Sequence, residues 1–190
     1  RQGKGTYVEL SRARPAATLD LAQVRSQIAD LAAATEVRDL VVRDVTPDEE
    51  TRAALQLEDG VLVQRATHLR LLSGVPLGII TTWVPLDIAV LVEPREMASY
   101  PMFELLARAG VQLAGADQWL GAALANVESA HALGVEVGAP LLRLTRVVHA
   151  EGGRAVERVV ALYRADAYQY RMRLGPVAGA AVLPPAIRRP

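Results

Sequence analysis

The sequence predicts an α+β fold in which a central antiparallel sheet carries helices packed on one face. Runs rich in β-formers are joined by short turns, as where Val61–Leu72 and Pro76–Val84 flank Ser73-Gly74, and this pattern is typical of hairpins. Short segments with apolar residues at helical spacing separate these runs. Hairpins alternating with helices favour an α+β domain over a parallel α/β sheet.

The first half of the chain contains two predicted helices and one short strand before the hairpin. Apolar residues recur at helical spacing from Thr18 to Ala34, with Thr18 or Asp20 as the N-cap. Leu40–Val45 predicts a strand. The run Thr46-Pro47-Asp48-Glu49-Glu50 predicts a helix start, with Thr46 as N-cap, proline in the first position and acids in the first turn.

The second half predicts two helices, one strand and a second hairpin. The expected elements are a helix at Pro101–Ala109 ended by Gly110, a strand at Gly115–Leu124, a helix from Asn126 to Leu133 ended by Gly134, and strands at Pro140–Ala150 and Arg154–Tyr163 around Glu151-Gly152-Gly153. Tyr168–Leu174 is expected to continue the sheet, and Gly175–Pro190 to form a loose tail.

Composition excludes several classes of function. The 190 residues are 51% hydrophobic and 22% charged, as expected of one folded domain with short extensions. There are no cysteines, which excludes disulfides, thiolate nucleophiles and Cys-based zinc sites and favours a reducing compartment. The most hydrophobic stretch, Val75 to Val92, is interrupted by prolines and Asp87, and the chain does not open like a secretory signal.

Charge is balanced over the whole chain but not along it. The 21 basic residues match 21 acidic ones, which disfavours nucleic-acid binding through an overall positive field. Residues 1–14 nevertheless have a net charge of +3, whereas residues 15–187 have a net charge of −5. This basic head on an acidic body is an asymmetry that the overall balance hides and that any proposed function must explain.

Motifs at both ends resemble one family of regulators. Gly3-Lys4-Gly5-Thr6-Tyr7-Val8 resembles the end of the wing in the winged-helix domain of GntR-type transcriptional regulators. Pro101–Leu174 is similar to the effector-binding (UTRA) domain of the HutC subfamily, which shares the chorismate lyase fold. That similarity is carried by Phe103-Glu104-Leu105-Leu106, Gly138-Ala139-Pro140-Leu141-Leu142-Arg143-Leu144-Thr145-Arg146, Gly153-Arg154-Ala155-Val156-Glu157 and Tyr163-Arg164-Ala165-Asp166.

The resemblance implies the ligand-sensing part of a bacterial one-component repressor. It implies a cytoplasmic homodimer that binds a small-molecule effector and couples it to operator DNA through a winged-helix domain. From the residues themselves we also expect no cofactor, metal, membrane contact or enzymatic activity. Residues 1–17 would be the wing remnant and linker, 18–174 the effector domain and 175–190 a flexible tail. DNA contacts would come from the wing residues Arg1, Gly3, Lys4, Gly5 and Thr6.

Period-two alternation places the candidate effector residues in pairs. Glu157 and Tyr163 share one strand face, and a Glu and a Tyr at this separation line the pocket in the resembling family. His68 and Arg70 share another face, where relatives that sense sugar phosphates carry two basic residues. The alternative is structural: Glu157 at a solvated edge, Tyr163 and His68 half-buried, and Arg70 a surface charge.

Departures from the family pattern favour a less polar ligand than a sugar phosphate. Ile80 stands where relatives often have Glu, and Phe103 where they have Tyr, with Trp83 and Trp119 nearby. The sequence therefore predicts an organic acid or mixed polar and apolar metabolite held by Arg70 and Glu157. The predicted effector contacts are His68, Arg70, Ile80, Trp83, Phe103, Glu157 and Tyr163.

Two functional alternatives and some structural roles complete the prediction. A chorismate lyase-like enzyme would use Arg70 for substrate carboxylates and Glu157 as general acid, and a dimerisation module would fill the pocket with its own side chains. Arg146 is expected to have a structural role, pairing with a carboxylate such as Asp166 to hold the sheet, and Asp166 is expected to cap a turn. His131 and His149 lack neighbours at metal-binding spacing.

Overall fold

A computed structural model of the chain describes residues 21–170. Six strands form one antiparallel sheet in the order β1-β2-β3-β6-β5-β4, which confirms the predicted α+β class. The strands are β1 (Glu36–Val45), β2 (Val63–Leu72), β3 (Val75–Pro85), β4 (Leu113–Leu124), β5 (Pro140–Ala150) and β6 (Ala155–Arg164). The helices are α1 (Leu21–Ala34), α2 (Glu49–Ala54), α3 (Leu86–Ala89), α4 (Met102–Arg108) and α5 (Val127–Leu133), with 3₁₀ turns at Pro94–Ala98 and Glu151–Gly153.

Helices cover both faces of the sheet, so the expectation of helices on one face is wrong. On one side, called the α4 face, Leu105 and Leu106 of α4 pack against Ala66 of β2. On the other, called the α2 face, Leu55 next to α2 packs against Val63, and α5 packs farther along the same face. Central strands that carry apolar residues at both alternating positions require cover on both sides.

Both hairpins form where the sequence places them. Ser73 and Gly74 both adopt positive φ, 51° and 80°, as primed two-residue turns require. The turn between β5 and β6 uses Gly152 and Gly153, each with φ of 82°. Because these turns join neighbours, β2 pairs with β3 and β5 pairs with β6.

The caps of the short helices agree only in part with the sequence. The Asn126 side chain accepts from the Ser129 amide and Gly134 ends α5 with φ of 64°, as predicted. The N-cap of α2 is Asp48, not Thr46: its carboxylate accepts from the Thr51 amide at 2.7 Å. The Thr51 side chain, together with this amide bond, lowers the pKa of Asp48, since both favour the ionised form.

The ends of the sheet differ from the predicted boundaries. β1 starts at Glu36 rather than Leu40, because an edge strand tolerates charged side chains that hide its pattern. Tyr168–Tyr170 does not continue the sheet; the Tyr168 ring stacks on Tyr163 with centroids 4.1 Å apart. Residues 1–20 and 171–190, with the predicted wing and tail, lie outside the described residues. No helix within residues 21–170 is long and apolar enough to cross a membrane.

One buried arginine joins α2 to the sheet. Arg158 of β6 is 2% exposed, and its Nη1 donates to Thr51 Oγ1 at 2.8 Å. Its Nη2 lies 2.6 Å from Glu50 Oε1, and the guanidinium lies 4.9 Å from the ring centroid of Trp83. A charge this deeply buried must be paired to be tolerated, so Arg158 fixes the position of α2.

Replacing Arg158 tests this joint. Arg158→Met keeps most of the packing but leaves the buried Thr51 hydroxyl without its partner, so urea unfolding should show a loss of about 1–3 kcal/mol. The matched control is Arg154→Met, which removes the exposed bond of Arg154 to Asp87 at 2.7 Å and should cost less than about 1 kcal/mol. Equal losses in the two variants would contradict the anchoring role.

Candidate functional site

A cavity of about 70 Å³ lies on the α4 face, between the sheet and its covering helices. Its floor comes from the central strands β2, β3, β5 and β6, and its cover from α1 and the segment that leads into α4. The lining residues are Ile28, Leu31, Ala66, His68, Arg70, Ile80, Thr82, Met97, Tyr100, Pro101, Met102, Phe103, Leu144, Arg146, Glu157, Val159, Ala161 and Tyr163.

Six of the seven predicted effector residues surround this one cavity. Sheet register explains the convergence, since His68 lies opposite Ile80 and Ile80 lies opposite Ala161. One step along, Arg70 lies opposite Gly78, and Gly78 lies opposite Tyr163. The floor is therefore assembled from residues of separate strands, and their role as effector contacts remains a prediction.

Trp83, the seventh predicted residue, lies on the wrong side of the sheet. It points to the α2 face and contacts Arg158, while its neighbour Thr82 lines the cavity. Adjacent residues of a strand point to opposite faces of the sheet. The prediction chose Trp83 because it is aromatic and did not take its face into account. Trp119 likewise lies outside the cavity.

Arg146 lines the cavity, and its predicted pairing with Asp166 is wrong. Its Nε donates to Gln118 Oε1 at 2.9 Å, whereas Asp166 pairs with Arg164 at 2.7 Å. Burial lowers the pKa of Arg146, yet an arginine remains cationic in proteins. Pairing of β5 with β6 brings Arg146 onto the face of Glu157, and that pairing follows from the predicted hairpin.

Glu157 is a buried carboxyl group with an unused hydrogen-bonding atom. It is 3% exposed, and its Oε2 has no hydrogen-bond partner within the described part of the chain. Burial raises its pKa to about 7, against the opposing influence of the Arg146 charge. Near neutral pH the group is thus divided between a form that donates and a form that only accepts.

His68 and Tyr163 contribute neutral polar groups. Both ring nitrogens of His68 are buried without partners among residues 21–170. Burial lowers its pKa to about 4, assisted by the positive charge of Arg70, so the neutral ring presents one donor and one acceptor. Burial, more than the neighbouring Tyr168, raises the pKa of Tyr163 to about 12, which keeps the phenol protonated.

Arg70 connects the cavity to the end of α1. Its Nη1 donates to Thr35 Oγ1 at 2.8 Å, and the Thr35 hydroxyl donates to the Leu31 carbonyl at 2.6 Å. Burial lowers the pKa of Arg70 without removing its charge. A ligand that contacts Arg70 would therefore contact a side chain that is hydrogen-bonded, through Thr35, to the last turn of α1.

A groove of about 730 Å³ on the α2 face is larger than the cavity but chemically different. Its charges pair with one another: Arg143 lies 3.4 Å from Glu50, and His149 lies 3.1 Å from Asp117. Within residues 21–170 no group of three or more His, Asp or Glu side chains is placed to hold a metal. In the groove the buried Arg158 Nη2 has no hydrogen bond but is ion-paired with Glu50, whereas the unpartnered polar atoms of His68 and Glu157 belong to residues that line the α4-face cavity.

Comparison with known proteins assigns the family. The model of the UTRA domain matches residues 31–169. The chain belongs to the UTRA domain family. Two solved structures are similar to this chain. The ligand-binding domain of a GntR-family regulator from Bordetella bronchiseptica has 30% identity and a TM-score of 0.67, over 74% of this chain and 89% of that one. A transcriptional regulator from Streptomyces coelicolor, with 31% identity and a TM-score of 0.65, covers 75% of this chain and 95% of that one.

Curated relatives of the UTRA domain are transcriptional regulators. The repressor NagR of Bacillus subtilis is 26% identical over 122 residues, covering 64% of this chain and 50% of NagR. The regulator Rv0792c of Mycobacterium tuberculosis is 33% identical over 117 residues, covering 57% of this chain and 43% of its own length. The chain spans half or less of the length of these relatives.

Gly78 makes room for Tyr163 above the cavity floor. A Cβ at Gly78 would lie 2.4 Å from Tyr163 Cδ1, so Gly78→Ala should displace the ring and lower stability by about 1–3 kcal/mol. Gly115→Ala is the control, because a Cβ at Gly115 meets nothing within 4 Å. Urea unfolding of both variants measures the difference, and an unchanged Gly78→Ala variant would show that the ring does not need this space.

Glu157 should make stability depend on pH. Its pKa is higher in the folded state than its ordinary value of 4.5, so ionisation favours unfolding, and stability falls as the pH rises through about 7. Glu157→Gln removes this penalty, so its unfolding free energy should exceed that of the wild type by on the order of 3 kcal/mol at pH 8.5. At pH 4.5 this gain should be absent.

The titration of His68 also makes the unfolding free energy depend on pH. This contribution is the same in the wild type and in Glu157→Gln, so it cancels in the difference between them. Denaturant unfolding at the two pH values measures the difference. A gain that is the same at pH 4.5 and pH 8.5 would contradict a protonated, buried Glu157.

Proposed function

We propose that this UTRA domain is the sensor of a cytoplasmic, homodimeric repressor of the HutC subfamily, and that it binds a small organic acid in the α4-face cavity without chemical turnover. The observation that carries the proposal is the pair of buried, unpartnered polar side chains, His68 and Glu157, in one cavity with Arg70 and Arg146. Burying such groups is costly unless a ligand completes their hydrogen bonds.

The chemistry of the lining favours a carboxylate on an apolar body. The two arginines each retain donors beyond those already used, and guanidinium groups bind carboxylates in planar pairs. Ile80, Phe103 and Leu144 supply apolar walls. With Glu157 partly ionised, the cavity carries between one and two positive charges, which matches a monoanion better than a doubly charged phosphate.

His68 and Glu157 select a second polar group on the ligand. Neutral His68 offers a donor and an acceptor, and Glu157 accepts from a hydroxyl or an amine when ionised. The effector class is therefore a hydroxylated or aminated monocarboxylate. A site built from buried hydrogen-bonding groups discriminates strongly against analogues that leave those groups unpaired.

The cover of the cavity provides the proposed route to DNA. A volume of about 70 Å³ is well below the roughly 300–1,000 Å³ of ligand pockets, so a metabolite must displace part of the cover. Ile28 and Leu31 of α1 form that cover, and Arg25 of α1 lies 3.3 Å from Glu104 of α4. Because α1 follows the segment that resembles a wing and linker, its displacement would reposition the winged-helix domain.

Calorimetry tests the ligand class. Native mass spectrometry of protein purified from its host identifies any bound compound. Calorimetric titration with a panel of hydroxylated monocarboxylates, including 4-hydroxybenzoate, should find a ligand that binds. Arg70→Gln and Arg146→Gln should each weaken that binding about 10-fold or more. Arg154→Gln, remote from the cavity, is the control. Because Glu157 accepts from the ligand's hydroxyl or amine when it is ionised, affinity should rise between pH 6 and pH 8.5, and Glu157→Gln should remove that dependence.

Two results would overturn this proposal. Tight binding of a hexosamine phosphate, with no bound monocarboxylate, would contradict the predicted ligand class. Conversion of chorismate to 4-hydroxybenzoate would support the enzyme alternative instead of a sensor.

A further inference from the structure

Arg146 is held in the cavity wall by a neutral side chain from the neighbouring strand. Gln118 of β4 lies directly opposite Arg146 of β5, and its Oε1 accepts from Arg146 Nε at 2.9 Å and from Nη2 at 2.5 Å. Both donors belong to one edge of the planar guanidinium, the edge that includes Nε. Gln118 therefore occupies that edge and fixes the plane of the group.

The other edge of the Arg146 guanidinium is left for a ligand. Nη1 and the second hydrogen of Nη2 form an end-on edge with two parallel N–H groups, which is the arrangement that binds both oxygens of a carboxylate. Within residues 21–170 no hydrogen bond uses Nη1. Because Arg146 is only 9% exposed and lines the α4-face cavity, a ligand in that cavity is suited to complete this edge.

An amide partner orients Arg146 without neutralising it. Arg154, by contrast, is held by the carboxylate of Asp87 at 2.7 Å, and that contact cancels its charge. Glu157 also acts on the charge of Arg146, but burial raises the pKa of Glu157 to about 7 and keeps part of it protonated at neutral pH. An anionic ligand therefore meets a cation that is directed by Gln118 and keeps its charge.

Tyr170 holds Gln118 in turn. The Gln118 Nε2 donates to the Tyr170 hydroxyl at 3.1 Å, so both ends of the amide are hydrogen-bonded. Turning the amide over would set its NH₂ group against the donors of Arg146. Two residues before Tyr170, the Tyr168 ring stacks on Tyr163 of the cavity floor, which anchors this segment. A chain of contacts thus runs from the segment after β6, through Gln118, to the cavity.

We propose that Gln118, held by Tyr170, is a positioning residue of the effector site that directs the end-on edge of Arg146 to the carboxylate of the ligand. This assignment rests on the proposed function and deepens it, because it names the edge of the arginine that the carboxylate meets. A guanidinium that is already oriented loses less side-chain entropy when the ligand binds. The Gln118 side chain itself need not touch the ligand.

Two substitutions at Gln118 separate direction from charge. Gln118→Met keeps the length of the side chain but removes the acceptor, so the hydrogen on Arg146 Nε should exchange with water about 10-fold faster or more. Gln118→Glu keeps an acceptor, so exchange should stay slow. Tyr170→Phe should give a rate between those of the wild type and Gln118→Met. NMR spectra of the arginine Nε–H groups of the full chain measure these rates, and Arg146→Gln identifies the signal by its absence.

Calorimetric titration with the same panel of monocarboxylates, including 4-hydroxybenzoate, measures the consequence for binding. Both Gln118 variants should bind about 10-fold more weakly or worse. Gln118→Met no longer directs the guanidinium, and Gln118→Glu neutralises it. Gln112→Met is the matched control, because it removes only an exposed bond to the Gly110 carbonyl. Its exchange rate and its affinity should equal those of the wild type.

The outcomes distinguish this proposal from the proposed function. Unchanged exchange at Arg146 Nε in Gln118→Met, or unchanged affinity in that variant, overturns the positioning role. Equal acceleration in Gln112→Met also overturns it, since the effect would then be a general loosening of the fold. If no monocarboxylate binds the wild type, the proposed ligand class fails and the ligand role of Gln118 fails with it. Faster exchange in Gln118→Met would still show that Gln118 holds Arg146.

Discussion

The structure depends on the alternation of β6, which buries a charged group on each face of the sheet. Glu157 and Arg158 are neighbours in sequence, are 3% and 2% exposed, and point to opposite sides. Because helices cover both faces of the sheet, neither group reaches solvent. Both faces must therefore supply compensation, and helices cover both faces.

The two faces supply that compensation differently. On the α2 face the Arg158 guanidinium donates to Thr51 and lies over the Trp83 ring, and its Nη2 meets Glu50 as an ion pair rather than through a hydrogen bond. On the α4 face Glu157 keeps an unpartnered oxygen near Arg146. One side of β6 thus stabilises the fold, and the other holds polar groups that a ligand can complete.

Gln118 connects the cavity to the edge of the sheet. Its side chain accepts from Arg146 and donates to the Tyr170 hydroxyl, while its backbone belongs to the exposed strand β4. The group that orients a cavity arginine is thus carried by the edge strand of the sheet. On the opposite side of the cavity, Thr35 performs the same orienting role for Arg70 at the end of α1.

The sequence by itself determined the hairpins, most helices and the pairing of residues along each strand. His68 shares a face with Arg70, and Glu157 with Tyr163, because alternation is a local property of extended backbone. Only the tertiary structure decided which faces of separate strands meet. The structure places Arg146 in the cavity lining and Trp83 on the other face of the sheet, because strand order and register are set by contacts between distant segments. The helices on both faces follow from the same non-local packing.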